Sequence, residues 1–170
     1  MAGAYLDRID TGTGGRYHTG NLVTESDVFD AVVADLCAPF EEGSIDAVAG
    51  IDALGFAFGT AVAREFGVPF DPIRKGGKLP IANENRLSRT VTDYTETEKT
   101  LELDRSSVAE NARVLVVDDW TETGAQLTAA TSLIEAAEAR VAGIAVLGAD
   151  DNAAITELRA RYAFHALSNT

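Results

Sequence analysis

The segment Val114-Leu115-Val116-Val117-Asp118-Asp119-Trp120-Thr121-Glu122-Thr123-Gly124-Ala125-Gln126 joins an apolar run, two adjacent acids and a Thr/Gly turn. Four apolar residues in a row, three of them β-branched, predict a strand covered on both faces. Thr121 and Thr123 suit the N-cap of a following helix, and Gly124 lets backbone approach a ligand closely. Such a turn offers backbone N–H groups at a helix N-terminus, which together attract phosphate. The two carboxylates before it suit sugar hydroxyls or a magnesium-bound ligand. One segment therefore has the parts to hold a phosphorylated sugar. Read blandly, it is an ordinary strand-to-helix connection in a parallel sheet.

Outward from this segment the chain alternates strands and helices. Upstream, Thr24-Glu25-Ser26-Asp27 has the pattern of a capping box before a helix over about 25–38, with Val28, Val32, Val33 and Leu36 on one face. A strand is predicted over 45–51, and a helix runs from Gly55 to about Phe66 with Gly67 as its C-cap. A short strand is predicted over 68–73, and residues 74–90 read as a long basic loop. Strand arms are predicted at 91–94 and 100–103 around a Thr/Glu turn. Downstream come a helix over about 123–138, a strand over 141–147, a helix over 152–161 and a last strand near 162–166. Residues 1–23 read as loop with one short strand. The alternation predicts an α/β fold, a mostly parallel twisted sheet with helices on both faces. Ligands in such sheets bind beyond the carboxyl ends of the strands, at a topological switch point.

Residues 1–170 are read as a single domain, and 46% hydrophobic content is ample for one core. There is no apolar run long enough for a transmembrane span, and the first residues lack a signal-peptide pattern, so the cytoplasm is the expected location. The single Cys37 excludes an internal disulfide and reads as a small buried hydrophobe. His18 and His165, with one cysteine, make no zinc site. The net charge of −13 disfavours nucleic acid and anionic membrane as partners. Three lysines stand against eleven arginines, and this acid-rich, lysine-poor balance is similar to that of halophilic proteins. Five of the fourteen basic residues, Arg74, Lys75, Lys78, Arg86 and Arg89, crowd into one stretch, which reads as an anion site or as a solvated loop.

The central segment resembles the phosphoribosyl pyrophosphate (PRPP) motif of type I phosphoribosyltransferases. The resemblance implies that fold, with a small hood, and gives Asp118 and Asp119 to the ribose hydroxyls. It gives Thr121, Thr123, Gly124, Ala125 and Gln126 to the 5-phosphate. Ala125 and Gln126 depart from the family's usual Gly and Thr. Glu122 stands where hypoxanthine-guanine enzymes keep an acid, and reads either as a general acid/base or as a group repelling the phosphate. Upstream, Asp52-Ala53-Leu54-Gly55 and Arg74-Lys75-Gly76-Gly77-Lys78-Leu79-Pro80 resemble adenine phosphoribosyltransferase. By that resemblance Asp52, Ala53, Leu54, Arg74, Lys75 and Lys78 hold pyrophosphate. Glu96, after Tyr94, falls where the family keeps a mobile catalytic loop. Leu54 replaces an Arg of the adenine enzymes and looks more like archaeal hypoxanthine/guanine proteins.

The implied activity is purine salvage: transfer of 5-phosphoribosyl from PRPP to a purine with release of pyrophosphate. The base inclines to hypoxanthine/guanine, with adenine close behind. Mg²⁺ is the implied cofactor, reached by Asp118 and Asp119 indirectly through ribose or water. A homodimer is also implied. Val117, Trp120 or Tyr17 offer a wall for the base, and Trp120 reads equally as a dimer-contact or, by preference, a helix-packing residue. The alternative is a PRPP-sensing regulator that kept the fold and lost catalysis.

Overall fold

The computed structural model describes residues 3, 5–9, 17–92 and 98–170. A seven-stranded sheet is built from β1 (Ala47–Ile51), β2 (Phe70–Lys75), β3 (Arg86–Thr92), β4 (Glu98–Asp104), β5 (Arg113–Thr121), β6 (Arg140–Ala149) and β7 (Phe164–Asn169). Their spatial order is β3-β4-β2-β1-β5-β6-β7. The run β2-β1-β5-β6-β7 is parallel. β4 pairs antiparallel with both β2 and β3. Four helices cover the sheet: α1 (Ser26–Cys37), α2 (Leu54–Phe66), α3 (Ala125–Ala136) and α4 (Ala153–Arg161).

The central strands explain themselves by burial. Val114 and Val116 point into a core shared with Leu127, Leu133, Ile134 and Ile155, from α3 and α4. Leu115 and Val117 point the other way, into a core shared with Val32, Leu36, Phe58 and Val62, from α1 and α2. All four strand residues are fully buried, which is why no polar alternation marks them. Each such side chain contributes about 1.5–3 kcal/mol when taken from water. The free Cys37 is buried, and burial pushes its thiol up to about 11, so it behaves as a core residue. Among the described residues no helix is long and apolar enough to cross a membrane.

Three local expectations are corrected. The 24–27 segment forms no capping box: Glu25 is the N-cap with no side-chain cap, and the Thr24 hydroxyl instead donates to the Asn21 carbonyl at 2.7 Å. The basic 74–90 stretch is not one loop, because β2 runs to Lys75 and β3 begins at Arg86. Thr121 and Thr123 do not cap α3, whose N-cap is Gly124 in the left-handed region at φ 75°. Gly67 does cap α2, at φ 67°. The N-terminal region holds 3-10 turns at Leu6–Arg8 and Gly20–Val23, with Tyr5 and Leu22 buried against α1 and α2.

Candidate functional site

The chain leaves β1 to form β2 on one side, then returns to place β5 on the other. The connection after β1 runs through α2 on one face, and that after β5 runs through α3 on the opposite face. The carboxyl ends of β1 and β5 therefore flank the switch point, the place where open α/β sheets bind ligands in a crevice. The 52–54 loop and the 118–124 segment emerge there side by side. β2 delivers Lys75 and the Gly76-Gly77 turn from the next strand over.

β5 continues through both acids to Thr121, so Asp118 and Asp119 lie on extended backbone, yet their side chains still interact with each other. Asp118 is buried. A Cβ built on Gly55 would come within 2.8 Å of its Oδ1, so the glycine at the start of α2 is what lets the helix close over this acid. Burial pushes the Asp118 carboxyl well above the usual carboxylate range, the adjacent Asp119 adds to the rise, and Lys75 opposes it. Lys75 is thus close enough in space to act electrostatically on an acid two strands away. Asp119 is half-buried, and its Oδ2 accepts a 2.8 Å hydrogen bond from the Thr19 hydroxyl.

The turn beyond is held by its own threonines. Gly124 N–H donates to Thr121 Oγ1 at 3.2 Å, and Ala125 N–H to Thr123 Oγ1 at 3.3 Å. Asn152, the N-cap of α4, donates from Nδ2 to the Glu122 carbonyl at 2.8 Å and to the Asp150 carbonyl at 3.0 Å. It ties the turn to the neighbouring helix. The Glu122 side chain is half-exposed at the turn, and Gln126 lies in the first turn of α3.

On the other side of the crevice, the Asp52–Ala53 peptide is cis, and Leu54 begins α2. Arg74 Nε lies 3.4 Å from Asp52 Oδ2, and its guanidinium sits 5.7 Å above the Phe56 ring. Lys75 and Lys78 are exposed. The Gly77 N–H donates to the buried Glu102 at 3.1 Å. A cavity of about 650 Å³ opens between this turn and β4, lined by Lys75, Gly76, Gly77, Glu98, Lys99, Thr100 and Glu102. Two of the five clustered cations serve the scaffold. Arg86 donates to the Leu79 and Ile81 carbonyls at 2.9 and 3.0 Å, and Arg89 Nε to Ser132 at 3.0 Å.

At the end of β5, Tyr17 stacks on Trp120 with ring centres 3.5 Å apart and planes 18° apart. Trp120 Nε1 donates to Asp150 Oδ1 at 2.8 Å. Its ring covers Gly148, its register partner on β6, where a Cβ would collide with it. Trp120 therefore packs between Tyr17 and Gly148. Sequence reading did not single out Thr19, Glu102, Asp150, Asn152 or Gly148, and it named Gly55 only as a helix start and loop residue. Their signal is contact across long sequence separations, which no local pattern carries. Glu96 and Tyr94 lie outside the described residues.

This layout matches known proteins. The phosphoribosyl transferase domain model matches residues 31–165. An adenine phosphoribosyltransferase of Bifidobacterium animalis subsp. lactis is 42% identical over 116 residues, covering 68% of this chain and 57% of its own length. One of Sulfurimonas denitrificans is 40% identical over 118 residues, covering 69% of this chain and 64% of its own length. The chain thus spans less than two thirds of these relatives. The crystal structure of an adenine phosphoribosyltransferase from Rhodothermus marinus superposes with a TM-score of 0.84 at 26% identity, covering 93% of this chain and 88% of that one. The expected inclination to hypoxanthine/guanine finds no support among these relatives, all of them adenine enzymes. With its acids, Thr–Gly turn and cationic loop at the switch point of a mostly parallel sheet, the chain belongs to the phosphoribosyl transferase domain family.

Proposed function

We propose that the protein is a purine phosphoribosyltransferase of the salvage type, with adenine as its base. The observation that carries this reading is that Asp118 and Asp119, the 121–126 turn and Lys75 all lie at the carboxyl ends of neighbouring parallel strands, with Lys75 acting on Asp118. The acids take the ribose hydroxyls. The turn takes the 5-phosphate, and its N–H groups exchange their threonine acceptors for phosphate oxygens. Arg74, Lys75, Lys78 and the backbone of 52–54 take the pyrophosphate. The reaction needs positioning and electrostatic stabilisation as positive charge builds on the sugar and negative charge on the leaving group.

Among the described residues no group of three or more acids, histidines or cysteines forms a metal cage. The donor chemistry fits Mg²⁺ differently, as an ion carried by diphosphate oxygens and reached by Asp118 and Asp119 through ribose or water. Bound there, it would neutralise charge on the leaving pyrophosphate. Tyr17, backed by the Trp120 ring on which it stacks, walls the base. Adenine is chosen because the relatives of both kinds are adenine enzymes, and that support outweighs Leu54 and Glu122. A homodimer accompanies the reading.

A pyrophosphate-release assay tests this, with PRPP, Mg²⁺ and, in turn, adenine, hypoxanthine, guanine, xanthine, uracil or no base. Release with adenine above all others is expected. Release with a 6-oxopurine alone would reverse the base assignment. PRPP binding with no release for any base would favour a PRPP-sensing regulator, a reading that the Ala125-Gln126 departure supports.

A further inference from the structure

We infer that Thr19 is a positioning residue for Asp119, so that the strap of residues 17–22 sets the geometry of the ribose site. The inference rests on the PRPP reading above. Thr19 is 1% exposed, and its hydroxyl donates to Asp119 Oδ2 at 2.8 Å across a sequence separation of 100 residues. The strap is anchored on both sides of this contact. After it, the Leu22 N–H donates to the Thr19 carbonyl at 3.1 Å, and the Leu22 side chain is fully buried. Before it, Tyr17 stacks on Trp120, the residue next to Asp119.

A carboxylate at the end of a strand can turn about its Cα–Cβ and Cβ–Cγ bonds. A ribose hydroxyl needs an acceptor in one fixed place. A carboxylate has two oxygens and about four acceptor sites, so one hydroxyl can fix its plane and leave the second oxygen for the sugar. Thr19 suits that role. Turning Asp119 away would strand a buried hydroxyl, which is unfavourable, so the pair holds a single orientation. The same strap carries Tyr17, so the ribose acid and the base wall are set by one piece of chain.

The test uses Thr19→Val, which keeps the shape and removes the donor, and Thr19→Ser, which keeps the donor. PRPP affinity is measured by calorimetry in Mg²⁺ buffer, with steady-state kinetics and a melting curve alongside. The expected result is PRPP affinity at least about tenfold weaker in Thr19→Val, about one charged hydrogen bond's worth. The loss falls on KM for PRPP more than on kcat, and Thr19→Ser stays near wild type. In an Asp119→Ala background, Thr19→Val causes no further loss. Affinity in Thr19→Val equal to or tighter than wild type overturns the inference, and so does an equal loss in Thr19→Ser. Failure of the wild-type protein itself to bind PRPP overturns the transferase reading beneath it, and is told apart by that control.

Discussion

Burial beneath Gly55, with Asp119 next to it, raises the Asp118 carboxyl well above the ordinary carboxylate range, against the pull of Lys75. A group raised in this way binds a proton in the folded chain at pH values where the unfolded chain has already released it. Its contribution to stability is therefore greatest in acid and falls as pH rises from the ordinary aspartate value, about 3.9, to the folded one. Asp118→Asn removes the charge and keeps the shape. The variant should melt higher than wild type at neutral pH, by about 2–4 °C for each kcal/mol recovered. The gap should close as pH falls toward about 4, while turnover with PRPP drops. Parallel melting curves from pH 4 to pH 8 would show that the buried charge costs nothing. A functional acid held at a cost in stability is the usual trade at a binding site. At this scale the sequence marked Asp118 and Asp119 because two acids between an apolar strand and a Thr/Gly turn suit a phosphorylated sugar and resemble the PRPP motif. It could not mark Thr19, since that contact is made only once the chain has folded.

The elements act on these residues through spacing. α2 starts against the end of β5, and Gly55 is the point of contact, with the Val117 carbonyl 3.0 Å from a Cβ placed there. Gly55→Ala should push α2 and the 52–54 loop away from Asp118. The expected cost is about 1–3 kcal/mol of stability, the range for overpacking, together with weaker PRPP binding. Denaturant melts and calorimetry on one preparation would check both. Unchanged values for both would mean that the helix start has slack the packing does not show. The parallel strands and their helices were legible because burial on both faces writes continuous apolar runs. β3 was not. It is an edge strand, and its inward row of Leu87, Arg89 and Val91 is broken by an arginine whose head reaches Ser132 on α3. A strand that covers its core with an arginine stem shows no period of two in its polarity.

Across the whole molecule, 27 acidic residues face 14 basic ones, so at least 13 acids have no cation even if every cation were paired. The surface ion pairs are exposed, among them Arg113–Asp46 at 2.7 Å and Arg159–Asp151 at 2.8 Å. Such pairs contribute about 0–1 kcal/mol each and are themselves weakened by salt. The uncompensated repulsion acts over the whole surface and should win. Salt shortens the screening length from about 10 Å at 0.1 M to about 3 Å at 1 M, which removes repulsion between neighbouring acids. The melting temperature should therefore rise between 0.1 and 1 M KCl. The gain should flatten above about 1 M, because screening is nearly complete there. A rise that continued linearly to several molar would point instead to solvent exclusion strengthening the core, which sulfate would reproduce more strongly than chloride. A flat or falling melting temperature below 1 M would mean that the paired arginines dominate the electrostatics. The lysine-poor, acid-rich surface would then be no adaptation to salt.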